Sequence, residues 1–121
     1  MDNKNNSKKY INQNKIKNMA LIILPTQDKK IYVQGTSIEL PQVYNRIEFG
    51  CRPNGTTMEM AFYTYADRSA FETNSSLPSD ISTQNLVADI DPLTQVQGLE
   101  AAHALSKTYY EGLGYQVTVT L

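Results

Sequence analysis

The strongest constraint on this chain is the stretch VYNRIEFGCRPNGTTMEMAFYTY, residues 43–65, where apolar side chains recur at every second position on both sides of a turn. Val43, Ile47, Phe49 and Cys51 share one face of a first strand, and Tyr44, Arg46, Glu48 and Arg52 share the other. On a second strand Met58, Met60 and Phe62 alternate with Thr57, Glu59, Ala61 and Tyr63. This is the period of a half-buried strand. The turn Pro53-Asn54-Gly55-Thr56 pairs Arg52 with Thr57 and sets Cys51 opposite Met58, Phe49 opposite Met60 and Ile47 opposite Phe62. A slip of one residue would put Phe49 opposite Glu59, so turn and pattern specify one register. On that apolar face Cys51 is expected to be a small buried hydrophobe rather than a reactive thiol.

Around this hairpin the chain supplies further short elements. Met19 to Leu24 is an apolar run stopped by Pro25, too short to span a bilayer or to form a signal-peptide apolar region. No membrane partner is therefore expected, and synthesis in the cytosol is the default. Lys30 to Gln34 and Thr36 to Leu40 alternate as two short strands broken at Gly35, of the kind found at a sheet edge. Asp67 to Thr73 makes about two helical turns capped by Asp67 or Ser69. Residues 74–83, NSSLPSDIST, form a polar loop, and Leu86, Ala88 and Ile90 suggest a strand ended by Asp91-Pro92.

The main helix runs from Gln95 or Gln97 to about Glu111, with Ala101, Ala102, Leu105, Thr108 and Tyr109 on its apolar stripe. Gly112 and Gly114 terminate it. The last strand follows, with Tyr115, Val117, Val119 and Leu121 pointing one way, and it should lie beside a hairpin strand or the N-terminal strand. The resulting fold class is α+β: an antiparallel or mixed sheet of about five or six strands with one main helix packed on one face.

Charge divides the chain. Residues 1–18 hold Lys4, Lys8, Lys9, Lys15 and Lys17 against Asp2, a net of +4, while residues 19–121 carry −5 within a total of −1. The first segment has too few apolar side chains to offset its ordering entropy and is expected to be a disordered basic extension. Met19-Ala20 resembles a natural start, and a basic arm docking on an acidic partner or a nucleic acid is a further alternative. Residues 19–121 then form a single domain. Their acidity argues against nucleic acid as a partner of the folded part.

No catalytic, cofactor-binding or metal-binding residue is assigned. His103 is the single histidine and flanks the helix stripe without a nucleophile, carboxylate or ligand cluster beside it, so its expected role is structural. Asp89 and Asp91 lack the spacing of a calcium loop, and Glu48 and Glu59 stand diagonal to each other and are screened by Arg46 and Arg52. Gly112-Leu113-Gly114 follows a helix and is not a phosphate loop. The eight tyrosines offer more. Tyr44, Tyr63 and Tyr65 project with Arg46 from the hairpin face away from the core, the residue types that protein interfaces favour, and Tyr110 is a possible addition. The competing expectation is that the chain's own loops, residues 74–83 for example, cover this face.

The run IYVQGTSIELPQVYNRIEFGCRPNGTTMEMAFYTY, followed by DRSAFET, a spacer, a helix and YQVTVTL, resembles small virion structural proteins of tailed bacteriophages, in particular those of Bacteroidetes phages including the crAss-like group. The phrases IYVQGT and YNRIEF carry the likeness, which spans residues 19–121. It implies a non-enzymatic role in the virion, at a neck, tail or baseplate position, with other copies of the chain and other virion proteins as partners in a homo-oligomer. The alternative is a small intracellular ligand-binding or regulatory module with a pocket between helix and sheet.

Overall fold

A computed structural model describes residues 18–81, 85–89 and 98–120. The elements are β1 (Ala20–Leu24), β2 (Val43–Cys51), β3 (Thr57–Tyr65), α1 (Arg68–Glu72), β4 (Leu86–Asp89), α2 (Gly98–Gly112) and β5 (Gln116–Thr120). The five strands form one antiparallel sheet in the order β4-β3-β2-β1-β5, and α2 lies across β5, β1 and β2. The architecture is α+β. The basic segment up to residue 17, Ile90 with Asp91-Pro92, the start of the main helix before Gly98, and Leu121 lie outside the described residues.

The β2–β3 hairpin has the register that turn and alternation dictate, with Cys51 opposite Met58, Phe49 opposite Met60 and Ile47 opposite Phe62. The Arg52 amide donates to the Thr57 carbonyl at 2.9 Å to close the loop. Gly55 takes φ +76°, a conformation glycine adopts without penalty. The Asn54 carboxamide oxygen accepts from the Thr56 and Thr57 amides at 3.0 and 3.1 Å, so the turn is held by its own side chain. At the other end of the chain β5 pairs with β1 along its full length, Ala20 opposite Thr120 and Leu24 opposite Gln116.

The main core lies between α2 and the sheet. Leu21, Ile23, Val43, Met58, Met60, Phe62 and Val117 meet Ala101, Ala102 and Tyr110, and the Tyr110 ring stands edge-on to Phe62 with centroids 5.5 Å apart. A second, smaller cluster on the opposite face joins Ala20, Tyr44 and Tyr65 to Ala70 and Phe71 of α1. Asp67 caps α1, its carboxylate accepting from the Ala70 amide at 2.8 Å.

Four expectations are corrected. Residues 30–40 form no strand of the main sheet: they fold on themselves, Val33 donating to Ile38 and Leu40 to Ile31, with only isolated bridges at Tyr32–Glu39 and Val33–Ser79. The buried stripe of α2 is Ala101, Ala102, His103, Ser106 and Tyr110, rotated from the expected one, so Thr108 and Tyr109 face outward while Tyr110 is buried. Tyr110 therefore adds nothing to an exposed surface. Cys51 is exposed, because it sits at the hairpin tip next to the turn. Finally, of the loop 74–83, residues 82–83 lie outside the described residues, and residues 75–79 flank the hairpin rather than covering its face. They run along the free edge of β3 beyond β4, with Leu77 donating to the Thr64 carbonyl and Ser76 bridging Tyr65.

Candidate interaction surface

The sheet face opposite α2 carries the residues singled out from sequence. Strand pairing sets Tyr44 opposite Tyr65 and Arg46 opposite Tyr63, so the four form two adjacent cross-strand pairs. The structure brings all four together, then treats them differently. Phe71 of α1 lies over the first pair, its ring 6.0 Å from Tyr44 and 5.2 Å from Tyr65, and both tyrosines are buried. The Arg46 guanidinium stacks on the same ring, its central carbon 4.3 Å from the Phe71 ring centroid. Tyr63 remains 50% exposed. The self-cover that competed with an interface thus comes from α1, and it stops at Arg46.

Beyond that boundary the face is open among the described residues. Glu48 is opposite Ala61 and Gly50 opposite Glu59, so two small residues form a floor between charged walls. The result is an open groove of about 450 Å³ lined by Glu48, Gly50, Arg52, Glu59, Ala61 and Asn85 among others. Its rim is internally connected: Tyr63 donates its hydroxyl to Glu48 at 3.4 Å, Arg52 pairs with Glu59 at 3.4 Å, and Asn85 donates to the same carboxylate at 3.5 Å. Val87, beside Glu59 on β4, adds an exposed apolar side chain. Floor, ring and rim together make a patch able to receive a flat protein surface: a half-exposed aromatic anchor, an apolar neighbour, and polar groups held in place at the edge.

A different set of polar groups lies on the helix side of the sheet. His103, Ser106 and Tyr110 follow one another along the buried stripe of α2, and the cross-strand partners Asn45 and Thr64 are buried as well. His103 is 1% exposed. Its Nδ1 donates to the Leu99 carbonyl at 2.8 Å, which leaves Nε2 bare and without a partner. Burial pushes this imidazole below its ordinary value of 6.5, and the positive charge of Arg46 adds to the effect against the pull of the main chain at Leu99 and Met19. Both side-chain polar atoms of Asn45 and the Tyr110 hydroxyl are also buried without a hydrogen bond. Asn45 lies close enough to Tyr110 to oppose slightly the upward push of burial on the phenol, yet not in bonding geometry. Ser106 donates to the Met60 sulfur at 3.4 Å. Sequence reasoning left this seam out, although Asn45 is in phase with Val43 and Ile47 and so points into the core.

Among the described residues no group of three His, Cys, Asp or Glu side chains is placed to hold a metal ion, and no helix is long and apolar enough to cross a membrane. Comparison with protein-family models, with curated proteins and with solved structures finds no match.

Proposed function

We propose that this chain is a non-enzymatic structural protein of a bacteriophage virion, at a neck, tail or baseplate position, acting through contacts with copies of itself and with other virion proteins. The observation that carries the proposal is the half-covered sheet face. The chain spends α1 on shielding Tyr44 and Tyr65 but leaves Tyr63, Val87 and the Gly50–Ala61 floor open beside them. An aromatic side chain at the boundary of a packed cluster is pre-positioned and loses little freedom when a partner covers it. The phage context comes from the resemblance carried by IYVQGT and YNRIEF.

The test is incorporation. Phage particles assembled with tagged chain should contain it in stoichiometric, symmetric amounts, and Tyr63→Ala combined with Glu48→Lys should reduce that amount while leaving the thermal melt of the free protein close to wild type. Particles that lack the chain altogether would sink the proposal. The groove of about 450 Å³ favours a second reading, a small-ligand module, and a thermal-shift screen against metabolites in which one compound stabilises the wild type but not Gly50→Val would establish it instead.

A further inference from the structure

We propose that two copies of this chain join edge to edge through β5, pairing antiparallel about a two-fold axis so that their sheets become one continuous sheet. The inference deepens the assembly reading but rests on a separate part of the molecule. β5 is the last strand in the sheet order; one side is paired with β1 at every residue, and among the described residues no strand occupies the other. Such an edge is a template for another strand, and proteins that stay monomeric blunt it with charges, prolines, bulges or very short strands.

The two edges of this sheet contrast in that respect. β4 is four residues long and carries Asp89, directly opposite Thr57. β5, Gln116-Val117-Thr118-Val119-Thr120, contains no charge, no proline and no glycine, and alternates without interruption. Residues 19–121 carry a net charge of −5, and this uncharged edge is where two copies can approach closely without opposing carboxylates.

Strand chemistry also selects the register. Only one antiparallel self-pairing engages all five residues: Thr118 against Thr118 of the partner subunit, Val117 against Val119 of the partner subunit, and Gln116 against Thr120 of the partner subunit. Because residues directly opposite share a face, this register places valine on valine on the α2 side and, on the other, threonine on threonine at the centre with glutamine on threonine to either side. A shift of one would set Val117 against Thr118 of the partner subunit and mismatch every pair. Val117 is buried against α2 and Val119 is half-buried, so the junction extends the existing core. α2 crosses β5, β1 and β2 rather than running along the edge alone, and among the described residues no strand lies along the outer side of β5.

Sedimentation equilibrium of the full-length chain should show a concentration-dependent dimer. Thr118 is exposed on the face away from α2, so Thr118→Glu and Thr118→Lys leave the fold intact by circular dichroism. Each alone should weaken dimerisation by at least about 10-fold, since like charges then stand directly opposite. An equimolar mixture of the two should recover it. In a Cys51→Ser background, which removes the exposed native thiol, Thr118→Cys should give a disulfide-linked dimer on mild oxidation. A wild-type chain that stays monomeric up to its solubility limit overturns the inference. So does a dimer that ignores both charge variants, or one that dissociates with Tyr63→Ala instead. A β5 dimer that never enters phage particles would uphold this inference and overturn the virion proposal, while a monomer found in particles would do the reverse.

Discussion

His103 is the side chain at which solution pH acts on this fold. The native state holds the imidazole neutral, with Nδ1–H on the Leu99 carbonyl and Nε2 buried and bare. Its folded pKa lies below 6.5, so the unfolded chain takes up a proton first as the solution is acidified. The contribution of neutral His103 to stability is therefore complete above pH 6.5 and is lost as the pH falls from there toward the folded pKa. Urea midpoints should fall between about pH 7.5 and about pH 5 in the wild type, and His103→Gln, whatever its absolute stability, should show a flatter profile over that interval. A wild-type midpoint that did not move would mean that Nε2 is satisfied on protonation. Asn45 makes the converse case. It is fully buried with neither end of its carboxamide bonded, so Asn45→Leu should stabilise the protein by about 1–2 kcal/mol in neutral urea denaturation. A loss instead would show that the amide has a partner in solution.

At the scale of elements, what the sequence made legible depended on whether two local signals agreed. The hairpin was readable to the residue pair because the Asn-Gly turn and the alternation of Ile47, Phe49, Met58 and Met60 demand the same register. The capped α1 was readable with Asp67 or Ser69 as its cap, and Asp67 fills that place, whereas the helix that feeds β5 left it beside either a hairpin strand or β1, and it pairs with β1. The rotation of α2 was not, because His103 and Ser106 are polar yet occupy the buried stripe, and hydrophobicity alone shifts the phase toward Leu105 and Tyr109. The interaction face was half legible. Alternation put Tyr44, Arg46, Tyr63 and Tyr65 on one side, but nothing local indicates that Phe71 folds back over two of them. Phe71→Ala should cost about 2 kcal/mol in urea denaturation, since it strips the ring from Tyr44, Tyr65 and Arg46, whereas Tyr63→Ala should change stability by less than about 0.5 kcal/mol. Equal losses at the two positions would mean that Tyr63 is packed rather than open.

Across the whole molecule the sheet order has a consequence for how folding closes. β1, near the start of the described residues, is flanked by β2 and by β5, so its place inside the sheet depends on residues about a hundred positions downstream. Leu21 and Ile23 are fully buried, and the Thr120 hydroxyl donates to the Asn18 carbonyl at 3.1 Å, tying the two ends of the described body together. Removing Gln116 to the C-terminus would take away Val117 and Val119, open one side of β1 along its full length, and leave α2 with nothing beneath part of its buried stripe. Buried Val117 is worth roughly 1.5–3 kcal/mol and half-buried Val119 less, before the lost strand pairing is counted, against a total of about 5–15 kcal/mol for a domain of this kind. The truncated chain should therefore lose its cooperative thermal transition, while a chain with only Thr118→Glu should keep it. If the truncated chain still melted cooperatively, strands β1 to β4 with α2 would constitute a folding unit on their own, and β5 would be an addition to it.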